Sequence, residues 1–223
     1  MPKPFENYFH LIIFDVETTG LDHENDAIID FGAAVYVMED GALKHVESID
    51  WLVHTDREIP RKITELTGID NTMVNEKGVS EETLVNTLER LFMGNTLAVA
   101  YNLQFDISFV HSLMTRHRPD FTLDSDVLDL LVVYKDHHEY PHKLGDAIEQ
   151  FGIENENAHR AYDDAVATAE LMLQLAKTID LTDYINQIGY HEKYGLNGVK
   201  LPHVTYTPQS YKRGSFLQKL KKK

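Results

Sequence analysis

Asp15 and Glu17 stand two positions apart, where the apolar run Leu11-Ile-Ile-Phe gives way to polar residues. A strand sends alternate side chains to one face, so both carboxylates would share one small site. Crowded carboxylates cannot all stay ionised without counter-charge, because unit charges roughly 4 Å apart repel by about 4 kcal/mol even at an effective dielectric of about 20. The chemistry open to such a pair is the holding of a hard divalent cation. The plainer alternative is a loop: Glu17-Thr-Thr-Gly20 is turn chemistry, and Asp15 could cap a neighbouring segment.

Three further residues have types suited to the same chemistry. Asp106 falls in the first turn of a segment that begins after Asn102, where a negative charge also favours the helix dipole by roughly 0.3 to 1 kcal/mol. Asp164 sits beside Asp163 on a helix whose Ala161, Ala165 and Ala169 recur every four residues, a face that lets another backbone come close. One of two adjacent acids on such a helix is ordinarily just solvated. His159 lies five positions before Asp164, a step of roughly 500° if both were helical, which would leave the side chains about 140° apart. They can converge only if His159 lies outside the helix, and the loop-like Asn155-Glu-Asn-Ala before it allows that.

The elements that would position these residues can be read from periodicity. Leu11-Ile-Ile-Phe reads as a strand buried on both faces, Ala27 to Met38 as a second and Leu43 to Val53 as a third, an antiparallel meander turned at Glu39-Asp-Gly41. Ser80 opens an amphipathic helix with Leu84, Leu88, Leu91 and Phe92 on one side. Thr96 to Ala100 is a short strand, and Asn102 is expected to cap a helix from Leu103 to Arg118. Helices also fit Val127 to Tyr134, His142 to Phe151 and Tyr162 to Lys177. This order describes an α/β fold with a mixed sheet flanked by helices. After Ile179, Asn197-Gly198 between apolar flanks predicts a hairpin, and the last twelve residues, with six Lys or Arg, are expected to be mobile. The division expected is residues 1–180 as one domain and 181–223 as an extension.

Composition narrows the function. With 43% hydrophobic and 26% charged residues the chain is globular, and the absence of cysteine excludes disulfides, thiolate metal sites and cysteine nucleophiles. Met1-Pro-Lys-Pro-Phe-Glu-Asn-Tyr8 carries no apolar stretch of signal-peptide length, and no run approaches the roughly 20 residues of a membrane span, so a cytoplasmic protein without membrane contact is expected. Net charge is −15, but residues 181–223 carry +6 and the remainder −21. The acidic body and the basic extension are therefore suited to different tasks.

Taken as a set, Asp15-Val-Glu-Thr-Thr-Gly20-Leu21, Asn102-Leu-Gln-Phe105-Asp106-Ile-Ser-Phe109 and His159-Arg-Ala-Tyr-Asp163-Asp164 resemble the three motifs of the DnaQ-like DEDDh exonucleases, and in particular the branch that proofreads for bacterial replicative polymerases. The resemblance runs from about Leu11 to Ala176. Tyr101 departs from it, since many members carry His before the Asn of the second motif. It implies a ribonuclease-H-like sheet on which Asp15, Glu17, Asp106 and Asp164 converge. No Lys or Arg accompanies the motifs except Arg160, so two Mg2+ or Mn2+ ions per site are the implied counter-charge. It further implies that His159 acts as general base, that Thr18, Leu21, Asn102 and Phe109 bind the terminal nucleotide, and that the reaction is 3′-to-5′ hydrolysis of DNA ends in proofreading or repair. The expected partners are nucleic acid 3′ ends, DNA favoured over RNA, and a DNA polymerase reached through the extension. Two alternatives share the motifs: an exoribonuclease, separated only by contact with the 2′-hydroxyl, and a non-catalytic accessory subunit that keeps the fold.

Overall fold

The computed structural model describes residues 5–220. Strand β1 (His10–Thr18) pairs antiparallel with β2 (Ile28–Glu39), and β2 pairs antiparallel with β3 (Ala42–Leu52), which is the expected meander. On its other edge β1 pairs in parallel with β4 (Thr96–Ala100), and β4 with β5 (Asp126–Asp129). The result is one mixed sheet in the order β3-β2-β1-β4-β5. Helices α1 (Arg61–Thr67), α2 (Asn71–Lys77) and α3 (Glu81–Leu91) follow β3, and α4 (Leu103–His117) links β4 to β5. Then come α5 (Leu130–His137), α6 (Leu144–Gln150) and α7 (Ala161–Leu175).

Strand period divides the interior in two. Ile12, Phe14 and Val16 of β1 enter a core with α3 and α4, whereas Leu11 and Ile13 enter another with α5 and α7. Asp15 and Glu17 continue the parity of Leu11 and Ile13, so they emerge on the face that α7 covers.

The approach of α7 depends on Gly32, which pairs with Asp15 across β1 and β2. A Cβ at residue 32 would lie 2.0 Å from the Tyr162 nitrogen and 2.1 Å from the Ala161 carbonyl carbon. The first turn of α7 therefore rests on bare strand backbone, and the expected small face of Ala161, Ala165 and Ala169 is buried against the sheet. Because only backbone could yield, Gly32→Ala is expected to cost at least about 3 kcal/mol, read as a lower urea midpoint, and to lower activity by moving Asp164.

Three expectations need correction. The helix expected from Val127 begins only at Leu130, because Val127 and Leu128 extend the sheet beside β4 and the Asp129 carboxylate then accepts the Leu131 N–H at 3.0 Å to start α5. No hairpin forms at Asn197-Gly198: the short strands β6 (Gln187–Tyr190) and β7 (Thr205–Pro208) pair in parallel. That segment instead satisfies its backbone on α4, where Val199 N–H donates to Ser108 Oγ (3.1 Å) and Gln104 Nε2 donates to the Val199 carbonyl (2.8 Å). Gly198 serves this close approach rather than a two-residue turn, since a Cβ would fall 2.2 Å from Ser108 Oγ.

The basic tail, expected to be mobile, forms α8 (Ser215–Leu220) and docks. Phe216 is fully buried against Tyr184, and its N–H donates to the Asp136 carboxylate at 2.8 Å. A buried aromatic and a buried acceptor outweigh the tail's charge; Lys221, Lys222 and Lys223 lie outside the described residues. No helix among the described residues is long and apolar enough to cross a membrane.

Candidate active site

The acids meet at the C-terminal end of β1. A register shift between Glu17 and Thr18 ends the regular pairing with β2 there and frees the strand end to turn. Asp106 arrives from the first turn of α4, 2% exposed, and one of its oxygens accepts the Val16 N–H at 3.1 Å. That bond places the Asp106 carboxyl between Asp15 and Glu17 along the chain. Asp164 arrives from α7, held by Asn155 Nδ2, which donates to its Oδ1 at 2.6 Å.

His159 has a left-handed backbone (φ 67°) and precedes the first residue of α7, so it lies outside the helix as the angular argument requires. A ring nitrogen of His159 and one oxygen each of Glu17 and Asp164 lie within 4.8 Å of one another. His159 itself is exposed, while Asp164 is buried and Glu17 half-buried.

Electrostatics follow from this crowding. Burial, then repulsion from Asp106, Asp164 and Glu17, holds the Asp15 carboxyl well above the usual carboxylate range. Burial and repulsion from Asp164 and Asp30 push Glu17 up to about 8, with Arg160 offsetting part of the effect. Asp106 and Asp164 are raised mainly by burial. The donor set is four carboxylate groups and an imidazole with no thiolate, which fits Mg2+ or Mn2+ far better than a structural zinc site. Arg160 does not supply the missing charge at Asp15, because its guanidinium donates to Asp30 (2.9 Å) and Asp50 (3.3 Å).

These shifts carry a sign. Carboxyls with folded pKa values above their unfolded ones bind more protons in the folded state, so metal-free stability is greatest near the unfolded values and falls as pH rises. The window runs from about 4.5 up to about 8 for Glu17. In chelator, the melting temperature is expected to drop by roughly 5 °C or more between acidic and mildly alkaline pH, and Glu17→Gln should flatten the drop.

Several positioning groups are not evident in the sequence motifs. Asp30 is fully buried in β2 opposite Glu17, accepts from Arg160 Nε and from Ala161 N–H (3.2 Å), and so pins the start of α7 behind His159. Its Oδ1 has no hydrogen-bond partner among the described residues. An acid within the apolar stretch Ile28-Ile-Asp-Phe31 was the available signal. Asp129, raised to about 6 by burial, accepts the Asn102 N–H at 3.2 Å.

That contact corrects the expectation for Asn102. Its side chain makes no capping bond; the residue is exposed and left-handed (φ 68°, ψ 46°), and the backbone is held by Asp129 instead. Of the other residues expected at the terminal nucleotide, Thr18 is buried and donates to the Gly20 carbonyl at 2.6 Å, and Leu21 projects into solvent, 77% exposed. Phe109 is buried against Phe105 and the edge of His23, so α4 meets the loop that follows β1.

A family model described as Exonuclease (RNase_T) matches residues 12–172. The chain is 39% identical over 166 residues to a DNA polymerase III PolC-type of Clostridium perfringens, covering 72% of this chain and 11% of that protein. It is 31% identical over 172 residues to a DNA polymerase III subunit epsilon of Aquifex aeolicus, covering 75% of this chain and 81% of that one. Among solved structures, E. coli exonuclease I in complex with a dT13 oligonucleotide has a TM-score of 0.64 at 23% identity, covering 76% of this chain and 41% of that one. The chain spans 11% to 16% of the length of the PolC-type relatives.

Proposed function

Because the chain belongs to the exonuclease family, we propose that it is a 3′-to-5′ exonuclease that releases nucleoside 5′-monophosphates from the 3′ ends of DNA, single-stranded or frayed. The observation that carries this reading is the meeting of Asp15, Glu17, Asp106 and Asp164 from three separate elements at one strand end, with His159 facing two of them. The polymerase relatives support DNA over RNA, and a role in proofreading or repair. They also support a polymerase partner.

In the proposed reaction, a water oxygen attacks the terminal phosphodiester phosphorus, and the bond from phosphorus to the 3′-oxygen of the preceding nucleotide breaks. Two Mg2+ or Mn2+ ions, when bound, would supply positive charge for the attacking and departing oxygens. Asp15, Glu17 and Asp164 would hold one and Asp15 with Asp106 the other. His159 takes the water's proton at a ring nitrogen, from a loop that Asp30 and Arg160 anchor. Thr18, Leu21, Asn102 and Phe109 would position the last nucleotide; exposed Leu21 is free to lie against its base.

The test is a time course on 5′-labelled single strands of matched DNA and RNA with Mg2+ or Mn2+. A one-nucleotide ladder on DNA, abolished by chelator, is expected. Faster shortening of RNA would transfer the reading to an exoribonuclease, and no shortening of either would overturn it.

A further inference from the structure

Three tyrosines that the exonuclease site does not use stand in water: Tyr140 is 73% exposed, Tyr194 72% and Tyr211 50%. They come from distant stretches of chain, yet their rings form a continuous run. The Tyr194 ring lies 5.0 Å from His191, His191 lies 5.5 Å from Tyr211, and Tyr211 lies 5.9 Å from Tyr140. Two cations accompany the run, Lys193 Nζ at 5.0 Å from the Tyr194 ring and Lys135 Nζ at 5.8 Å from Tyr211. Folding buries aromatic rings when it can, so an assembled row of exposed ones leaves ring surface to a partner, although His142 lies parallel to Tyr211 at 6.1 Å and takes up part of that ring.

The Tyr140 end of the row adjoins the active site. A cleft of about 710 Å³ is walled by His159, Asp164, Lys143 and Asp146. A second cleft, of about 600 Å³, is walled by Tyr140 and Arg213 and shares Asp146 and Glu149 with the first. Those shared acids disfavour phosphates on the wall between the clefts, which favours contact through bases. The residues that close the row, Tyr194 and Tyr211, belong to the extension whose charge is +6 against −21 for the rest of the chain. Flat rings beside a cation, two of the three rings on the basic extension of an acidic protein, match the needs of a single strand: every base has a face to stack, and each phosphate needs a positive charge.

We propose that this row is a binding track for the single-stranded segment upstream of the 3′ end, whose bases stack on Tyr140, Tyr211 and Tyr194 while exposed Lys193 neutralises a phosphate. The proposal rests on the exonuclease reading, and it makes the extension a device for holding substrate between successive cleavages. Stacking is indifferent to base identity, so the track binds without sequence preference.

The probes are dT12, which is long enough to reach the track, and the p-nitrophenyl ester of thymidine 5′-monophosphate, which reaches only the terminal site. Tyr140→Ala with Tyr211→Ala is expected to raise KM for dT12 at least about 30-fold. It should leave hydrolysis of the ester and the melting temperature unchanged, and Tyr→Phe at both positions should retain wild-type KM. Anisotropy of labelled dT12 in chelator reads the same weakening without catalysis. Tyrosine-dependent binding in a wild type that hydrolyses neither probe overturns the exonuclease reading and leaves the track standing. Unchanged KM and affinity for dT12 in the double variant overturn the track and leave the rings to a protein partner.

Discussion

Asp15→Ala is expected to reduce hydrolysis of a labelled single strand below about 10⁻⁴ of the wild-type rate and to abolish calorimetric binding of Mn2+. Asp15 is where repulsions from Asp106, Asp164 and Glu17 converge, which supports the proposed sharing of this carboxylate by both ions. Removing it leaves Glu17 and Asp164 on one side and Asp106 on the other without a common ligand. The same crowding separates this loss from simple unfolding. In chelator the variant gives up one buried, repelled acid, and its melting temperature at alkaline pH should exceed that of the wild type. Equal Mn2+ affinity in the two proteins would contradict the assignment, and so would an inactive variant that melts far below wild type.

His159→Ala should lower kcat by about 10²- to 10⁴-fold while leaving Mn2+ affinity close to wild type. The geometry admits two roles, because the ring nitrogen is close enough to Glu17 and Asp164 to ligate a metal with them. Exposure on a left-handed loop residue, outside α7, favours a ring that meets water and exchanges protons. A loss of metal affinity as large as that in Asp15→Ala would make His159 a ligand instead.

Much of this site was legible because its residues obey local geometry. The two-residue spacing of Asp15 and Glu17 at the end of an apolar run fixed their common face, and the five-residue step from His159 to Asp164 required the histidine to leave the helix before Ala161. The alanines of α7 announced a close approach. What they approached was not legible, since nothing local in Phe31-Gly32-Ala33 distinguishes a glycine that receives a helix from one that merely weakens a strand. The pairing of Asp30 with Arg160 was hidden for a related reason: they are 130 positions apart, and only the packing of α7 on β2 joins them. The C-terminal misreadings share one cause. Asn197-Gly198 and the lysine-rich end carry strong local signals, and both were overridden by tertiary partners, Ser108 with Gln104 in one case and Asp136 with Tyr184 in the other.

Backbone seated on backbone at Gly32 also makes the metal-facing spacing stiff. Side-chain cores tolerate simultaneous hydrophobic substitution when total volume and patterning are kept, but main-chain atoms in van der Waals contact have no such slack. Extensive hydrophobic substitution around α3 should therefore be compatible with a working centre, whereas a saturation library at residue 32 should be as depleted of survivors as one at Asp15 itself.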